Sequence, residues 1–152
     1  MTWKRALFAI VVLVGILHAS EASAQSCTIS ATSVNFGNYN VFNASDTDST
    51  GTVTYRCNAA ANNITVFLST GASGSFALRL MSKGAEVLGY NLYTDAGRSA
   101  VWGNGTSGTS VYFRANPPNN QNVNVTVYGR VPAGQDVSAG TFSDTVTAVI
   151  NF

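Results

Sequence analysis

Along most of this chain apolar and polar residues alternate one for one, the two-residue period of strands buried on one face. The last stretch shows it best. From Thr145 onward, Val146, Ala148, Ile150 and Phe152 fall on one face, and Thr145, Thr147, Val149 and Asn151 on the other. Val149 is the one apolar residue on the polar side. Val123, Val125 and Val127 keep the same period within Val123–Arg130. Further strands are predicted at Cys27–Ala31, Val34–Tyr39, Thr52–Cys57, Ile64–Ser69, Phe76–Ser82 and Val87–Thr94. Polar runs separate them: NASDTDSTG, TGASGS, NPPNNQN around Pro117 and Pro118, and VPAGQDVSAG. Asn104-Gly105 is the kind of pair that supplies positive φ in a tight hairpin turn. Turn signals recur about every ten residues, which predicts an all-β antiparallel sandwich. A final strand that lines the core has a free edge. Either the same chain covers that edge or another protein does, and the answer bears directly on function.

The first residues follow a different pattern. Lys4 and Arg5 precede Ala6–Leu17, an apolar run broken only by Gly15, and Ala22-Ser23-Ala24 offers a small-x-small cleavage site. This is a secretory signal, too short to span a hydrocarbon core of about 30 Å. The expectation is cleavage after Ala24, leaving residues 25–152 as one exported domain with one core. No later stretch is long and apolar enough to span a membrane.

Charge adds little. The chain has eight Lys and Arg against seven Asp and Glu, and losing Lys4, Arg5 and Glu21 leaves the two signs balanced. Nothing steers it toward nucleic acid, an anionic membrane or an acidic substrate. The two cysteines, Cys27 and Cys57, read as a disulfide in an exported chain. Closing a loop of about thirty residues is worth roughly 3–4 kcal/mol in the chain-entropy picture. Two thiols are too few for a zinc site, and the single histidine, His18, lies in the signal.

Candidate chemistry is sparse. The carboxylates are Asp46, Asp48, Glu86, Asp95, Asp136 and Asp144, and the many hydroxyls have no obvious base beside them. Asp46 and Asp48 share a loop and could bind calcium, although the calcium-loop pattern with Gly and a distal Glu is missing. The ordinary alternative is a solvated loop whose Asp side chains bond nearby backbone. Trp102, Tyr112, Tyr128, Tyr90 and Tyr93 could stack on a sugar, or could fill the core and rims of the sandwich. Four sequons, at Asn43, Asn63, Asn104 and Asn124, arise by chance in a chain this rich in Asn and Thr.

Four stretches then occur in order: CTISATSVNFGNYNVF, GTVTYRC, ALRLMSKGAEVLGYNLYTDAGRSAVWGNG and VYGRVPAGQDVSAGTFSDTVTAVINF. Together they resemble the spore coat protein U domain, shared with pilins of the archaic chaperone–usher pathway, over essentially the whole exported chain. The resemblance implies an incomplete immunoglobulin-like antiparallel β-sandwich that lacks its last strand. It implies a structural subunit of a surface fibre or of a spore or cell coat, with no catalytic residues, metal or cofactor. Its partners would be a periplasmic chaperone, an outer-membrane usher and other pilus or coat subunits, and its disulfide would be Cys27–Cys57. A strand from another chain would fill a groove lined by Val146, Ala148, Ile150 and Phe152. Main-chain bonds would give affinity and alternate side chains would enter pockets. Only Gln25 and Ser26 lie between the expected cleavage site and Cys27, a reach of about 7 Å. The subunit is therefore expected to accept a strand rather than give one, as a tip or terminal subunit would. Two other readings stand beside this one. One is a self-complete secreted sandwich that binds carbohydrate or surfaces through loops such as Ala100–Ser110. The other is a secreted hydrolase using Asp46, Asp48 or Asp144.

Overall fold

Eight strands carry the alternation into three dimensions in the computed structural model, which describes residues 25–58 and 61–152. They are β1 (Cys27–Ala31), β2 (Thr47–Cys57), β3 (Asn63–Leu68), β4 (Arg79–Lys83), β5 (Glu86–Tyr93), β6 (Tyr112–Ala115), β7 (Val123–Val131) and β8 (Ala148–Asn151). The signal expected at residues 1–24 lies outside the described residues. Among those residues, no helix is long and apolar enough to cross a membrane.

Two antiparallel sheets face each other, one in the order β1-β2-β7-β5-β4 and the other β6-β3-β8. The side chains between them come from alternate positions, as the two-residue period requires. Val53, Tyr55 and Cys57 point inward from β2, Ile64, Val66 and Leu68 from β3, Leu88, Tyr90 and Leu92 from β5, and Val123, Val127 and Val131 from β7. Each large apolar side chain buried in this way contributes about 1.5–3 kcal/mol. Trp102 is fully buried. Its backbone N–H donates to Leu92 O at 2.8 Å and its indole N–H to Val66 O at 2.9 Å, so it pins one sheet to the other. Cys27 lies directly opposite Cys57 in the β1–β2 ladder, and the two form the expected disulfide.

Several boundaries differ from expectation. β2 begins at Thr47, because its polar first half pairs with β7 and sets Asp48 opposite Arg130. β6 was not predicted; it has four residues and three of them are exposed, too little for a period to show. The tight turn falls at Ser107-Gly108, with φ of 52° and 76°, closed by Thr109 N–H on Thr106 O at 2.9 Å. Gly105 does carry the expected positive φ, 83°, while Asn104 accepts from the Thr106 N–H through its side chain.

The predicted strand at Val34–Tyr39 is not a strand. Val34 and Phe36 are half-buried against the core, but the segment has no ladder partner, and without a partner the period alone makes no sheet. Gly129 explains how it fits. A Cβ at that position would lie 2.7 Å from Val34 and 2.8 Å from Phe36, so the absent side chain lets this segment cross the inner face of β7.

The VPAGQ stretch closes a gap between strands. β7 pairs with β5 from Asn91↔Arg130 to Tyr93↔Tyr128, so Pro132 would be the next partner of Gly89. Proline has no N–H to offer. The Gln135 amide supplies one: Nε2 donates to Gly89 O at 2.9 Å, and Oε1 accepts from Gly89 N–H at 2.7 Å. One side chain thus takes the place of a peptide group at the end of the ladder.

Candidate functional site at the last strand

β8 pairs with β3 on one side, and on its other side no strand pairs with it among the described residues. The pairing fixes which way its backbone points. Ser69 N–H donates to Thr147 O at 2.9 Å, so Phe67↔Val149 and Thr65↔Asn151 are the hydrogen-bonded pairs further along. The N–H and C=O groups of Ala148 and Ile150 therefore point to the free side. Their side chains, with Val146, pack half-buried against the core. Phe152 follows the end of the strand and is 52% exposed. β1, the edge strand of the other sheet, passes close to β8 without a backbone hydrogen bond between them.

The segment at Val34–Tyr39 shares this condition. Among the described residues its amides make no backbone–backbone hydrogen bonds, while Val34, Phe36 and Tyr39 rest on the same core as Val146, Ala148 and Ile150. Two alternating segments thus cover one core with no ladder between them.

The approach to β8 is firmly anchored. Asp144 accepts from the Tyr90 hydroxyl at 2.7 Å, Ala72 N–H at 2.9 Å and its neighbour Thr145 N–H at 2.8 Å. Gly71 makes room for it: φ is +66°, and any Cβ there would run into the Asp144 carboxylate. Burial, then the hydrogen bond to Asp144, pushes the Tyr90 hydroxyl above the usual tyrosine range. Beyond Asp144, Thr147 N–H donates to Ser69 Oγ at 2.9 Å.

Ser69 is itself held by Arg79, a fully buried arginine. Its Nη2 donates to Ser69 O at 2.8 Å and to Trp102 O at 2.7 Å, and Nη1 donates to Asn91 Oδ1 at 2.6 Å. Burial lowers the guanidinium pKa below its ordinary value, against the attraction of Tyr90 and Asp144. Neither Arg79 nor Asn91 was singled out from the sequence. The signal was a charge flanked by Leu78 and Leu80 and an amide inside an apolar run, which a buried polar pair produces.

The other candidates separate in space. Trp102 and Tyr90 are buried, and Tyr112 packs against Trp102 and Tyr55, so these three belong to the core. Tyr93 and Tyr128 pair across β5 and β7, where Arg98 lies over the Tyr128 ring. The five aromatics do not form one stacking platform. Asp46 and Asp48 face arginines rather than open water. Arg130 donates to both Asp48 oxygens at 2.8 and 2.9 Å and lies 3.2 Å from Asp46, and Arg98 lies 3.1 Å from Asp48. The Arg130 hydrogen bond holds the Asp48 carboxyl below its ordinary pKa.

The architecture is an all-β, immunoglobulin-like antiparallel sandwich. The chain belongs to the Spore Coat Protein U domain family, whose match covers residues 13–149. It is 36% identical over 132 residues to Protein U of Myxococcus xanthus, an alignment covering 78% of this chain and 71% of that protein. Its fold is similar to a chain of the CsuC–CsuE chaperone–tip adhesion subunit pre-assembly complex from archaic chaperone–usher Csu pili of Acinetobacter baumannii. The TM-score is 0.60 and the identity 23%. The match covers 85% of this chain and 40% of that one.

Proposed function

We propose that this protein is an exported structural subunit of a bacterial surface fibre or of a spore or cell coat, assembled when another chain adds a strand beside β8. The observation that carries the reading is the double character of β8. Its inner side chains, Ala148 and Ile150, with Val146 just before it, already pack on the core, while the main-chain groups of Ala148 and Ile150 face a side where no strand pairs with them. Such an edge recruits an extended segment.

The strand order supports the missing-strand form of the fold. An immunoglobulin sandwich places strands A, B, E and D in one sheet and C, F and G in the other. Here β1, β2, β7 and β5 take the first four places, and β3 and β8 take those of C and F. No described strand takes the place of G. The family match and the likeness to a pilus subunit bound to its chaperone support the same partners: a periplasmic chaperone first, then a neighbouring subunit at an outer-membrane usher. The role is structural and not enzymatic, and the groove is lined by Val146, Ala148, Ile150 and Phe152.

The test is expression of the exported chain in a bacterial periplasm, alone and with a candidate chaperone of the chaperone–usher kind, followed by size exclusion. The reading expects aggregation or degradation alone and a stable one-to-one complex on co-expression. Ile150→Asp would place a charge in the groove and should abolish the complex. A monomer that melts cooperatively without any partner, or unchanged capture of Ile150→Asp, would overturn it.

A further inference from the structure

The outer face of the β6-β3-β8 sheet carries an apolar strip that meets the free side of β8. Phe67 lies directly opposite Val149, and Thr65 sits between Phe113 and Asn151, so these five side chains share the face turned away from the core. Phe113 is 58% exposed, and Phe67 and Val149 are half-exposed. The strip has no charge. It also accounts for the irregularity of the last strand, where Val149 is apolar on the side expected to be polar.

We infer that the strand added beside β8 is apolar on both faces near Val149, and that its outward side chain there completes this strip. The inference rests on the proposed acceptor role of β8 and specifies the chemistry of the partner. The occupant must be an extended strand, because what borders the strip is a row of unpaired N–H and C=O groups from Ala148 and Ile150. A strand in register with β8 alternates faces as β8 does, so one of its residues stands opposite Val149 on the outer side. The Val149 main-chain groups point to β3, so on the free side an antiparallel partner meets Val149 in a pair without hydrogen bonds, the closer kind, with Cα atoms about 4.5 Å apart. Apolar pairs at that spacing favour binding. A polar outward residue would leave Val149, and Phe67 beside it, in water. The inner groove thus sets whether a strand binds, and the outer strip helps to set which one.

Two designed peptides test this. One alternates Val with Thr, and the other has its central Thr residues replaced by Val. The oxidised protein is refolded from urea with each labelled peptide, and affinity is read by anisotropy. Wild type should bind the second peptide about three- to tenfold more tightly than the first. Val149→Thr and Phe67→Ser, both on the outer face, should erase that preference while both peptides still bind. Ile150→Asp should block both peptides. Equal affinities in wild type, or a preference that survives in both outer-face variants, overturns the inference. A change of oligomeric state in those variants with the preference intact also overturns it and assigns the strip to contacts between copies. If neither peptide binds wild type, the acceptor reading of β8 fails and this inference fails with it.

Discussion

The Tyr90 hydroxyl donates to Asp144 Oδ2 at 2.7 Å, tying the middle of β5 to the residues that lead into β8. Asp144 also accepts from Ala72 and Thr145, so it gathers three donors where the chain passes from one sheet to the other. Asp144→Ala removes the shared acceptor and should cost about 2–3 kcal/mol, whereas Tyr90→Phe, which leaves two donors in place, should cost about 1–2 kcal/mol. Urea unfolding of the two variants and the double variant, each with a complementing strand peptide bound as all of these stability tests require, measures this. Because the residues share a bond, the double variant should lose less than the sum of the singles.

Arg79 should be the more severe site. Arg79→Met keeps much of the volume but leaves Ser69 O and Trp102 O without their donor in the core, and Asn91 Oδ1 with only the Leu92 N–H. The expected loss is more than about 3 kcal/mol. Arg79→Lys should not rescue it, since an ammonium cannot reproduce the planar fork that spans three acceptors. Thermal melting of the two variants decides: full stability with Lys would show that charge alone matters there.

Tyr55 should behave in the opposite sense. Its hydroxyl is buried with no partner in hydrogen-bond geometry among the described residues, and burial, then the neighbouring Tyr112 hydroxyl, pushes its pKa up. Tyr55→Phe removes an unsatisfied polar atom and keeps the ring. Stability should stay unchanged or rise by up to about 1 kcal/mol. A clear loss in urea unfolding would mean that the hydroxyl has a partner in solution.

Acid should weaken the fold through Asp48. Its folded pKa is depressed below the ordinary 3.8, first by the Arg130 hydrogen bond. A depressed carboxylate stabilises fully above the unfolded pKa, and that contribution is lost as pH falls through the folded value. The loss therefore sets in below about pH 4. Asp48 is more than a third exposed, so the effect should stay under about 1 kcal/mol. Asp48→Asn should lower the urea midpoint slightly at neutral pH and flatten its further fall in acid. Parallel acid curves for the two proteins would contradict the assignment.

The sandwich was legible because its strands obey one rule. Val53, Tyr55 and Cys57, or Ile64, Val66 and Leu68, sit two apart, and that spacing names a strand and its buried face at once. The cysteine pair was legible from number and compartment, without geometry. Val34–Tyr39 shows the limit of the rule. The period reports burial on one side, whereas a strand also needs a neighbour, and the neighbour is not written in the segment. The structural roles of Gln135, Arg79 and Asp144 were hidden for another reason. Each completes hydrogen bonds of residues far along the chain, and a single polar letter carries no mark of the distant backbone group it serves. The edge of β8 lies between these cases. Its alternation was plain, but the direction of its free main-chain groups follows only from the register with β3.

The amide of Gln135 at Gly89 has a consequence for how this molecule behaves among its own copies. Where β7 stops short at Pro132, a bare stretch of β5 would be a template on which a stray strand could grow. One side chain occupies that template from within, binding both polar groups of Gly89. Gln135→Ala would uncover it, and the cost would appear as promiscuity more than as lost stability: slow, concentration-dependent association through a second, unselective docking edge. The protein guards one gap in its ladders with a single residue, which would make the unpaired side of β8 the more specific address for the proposed partner strand.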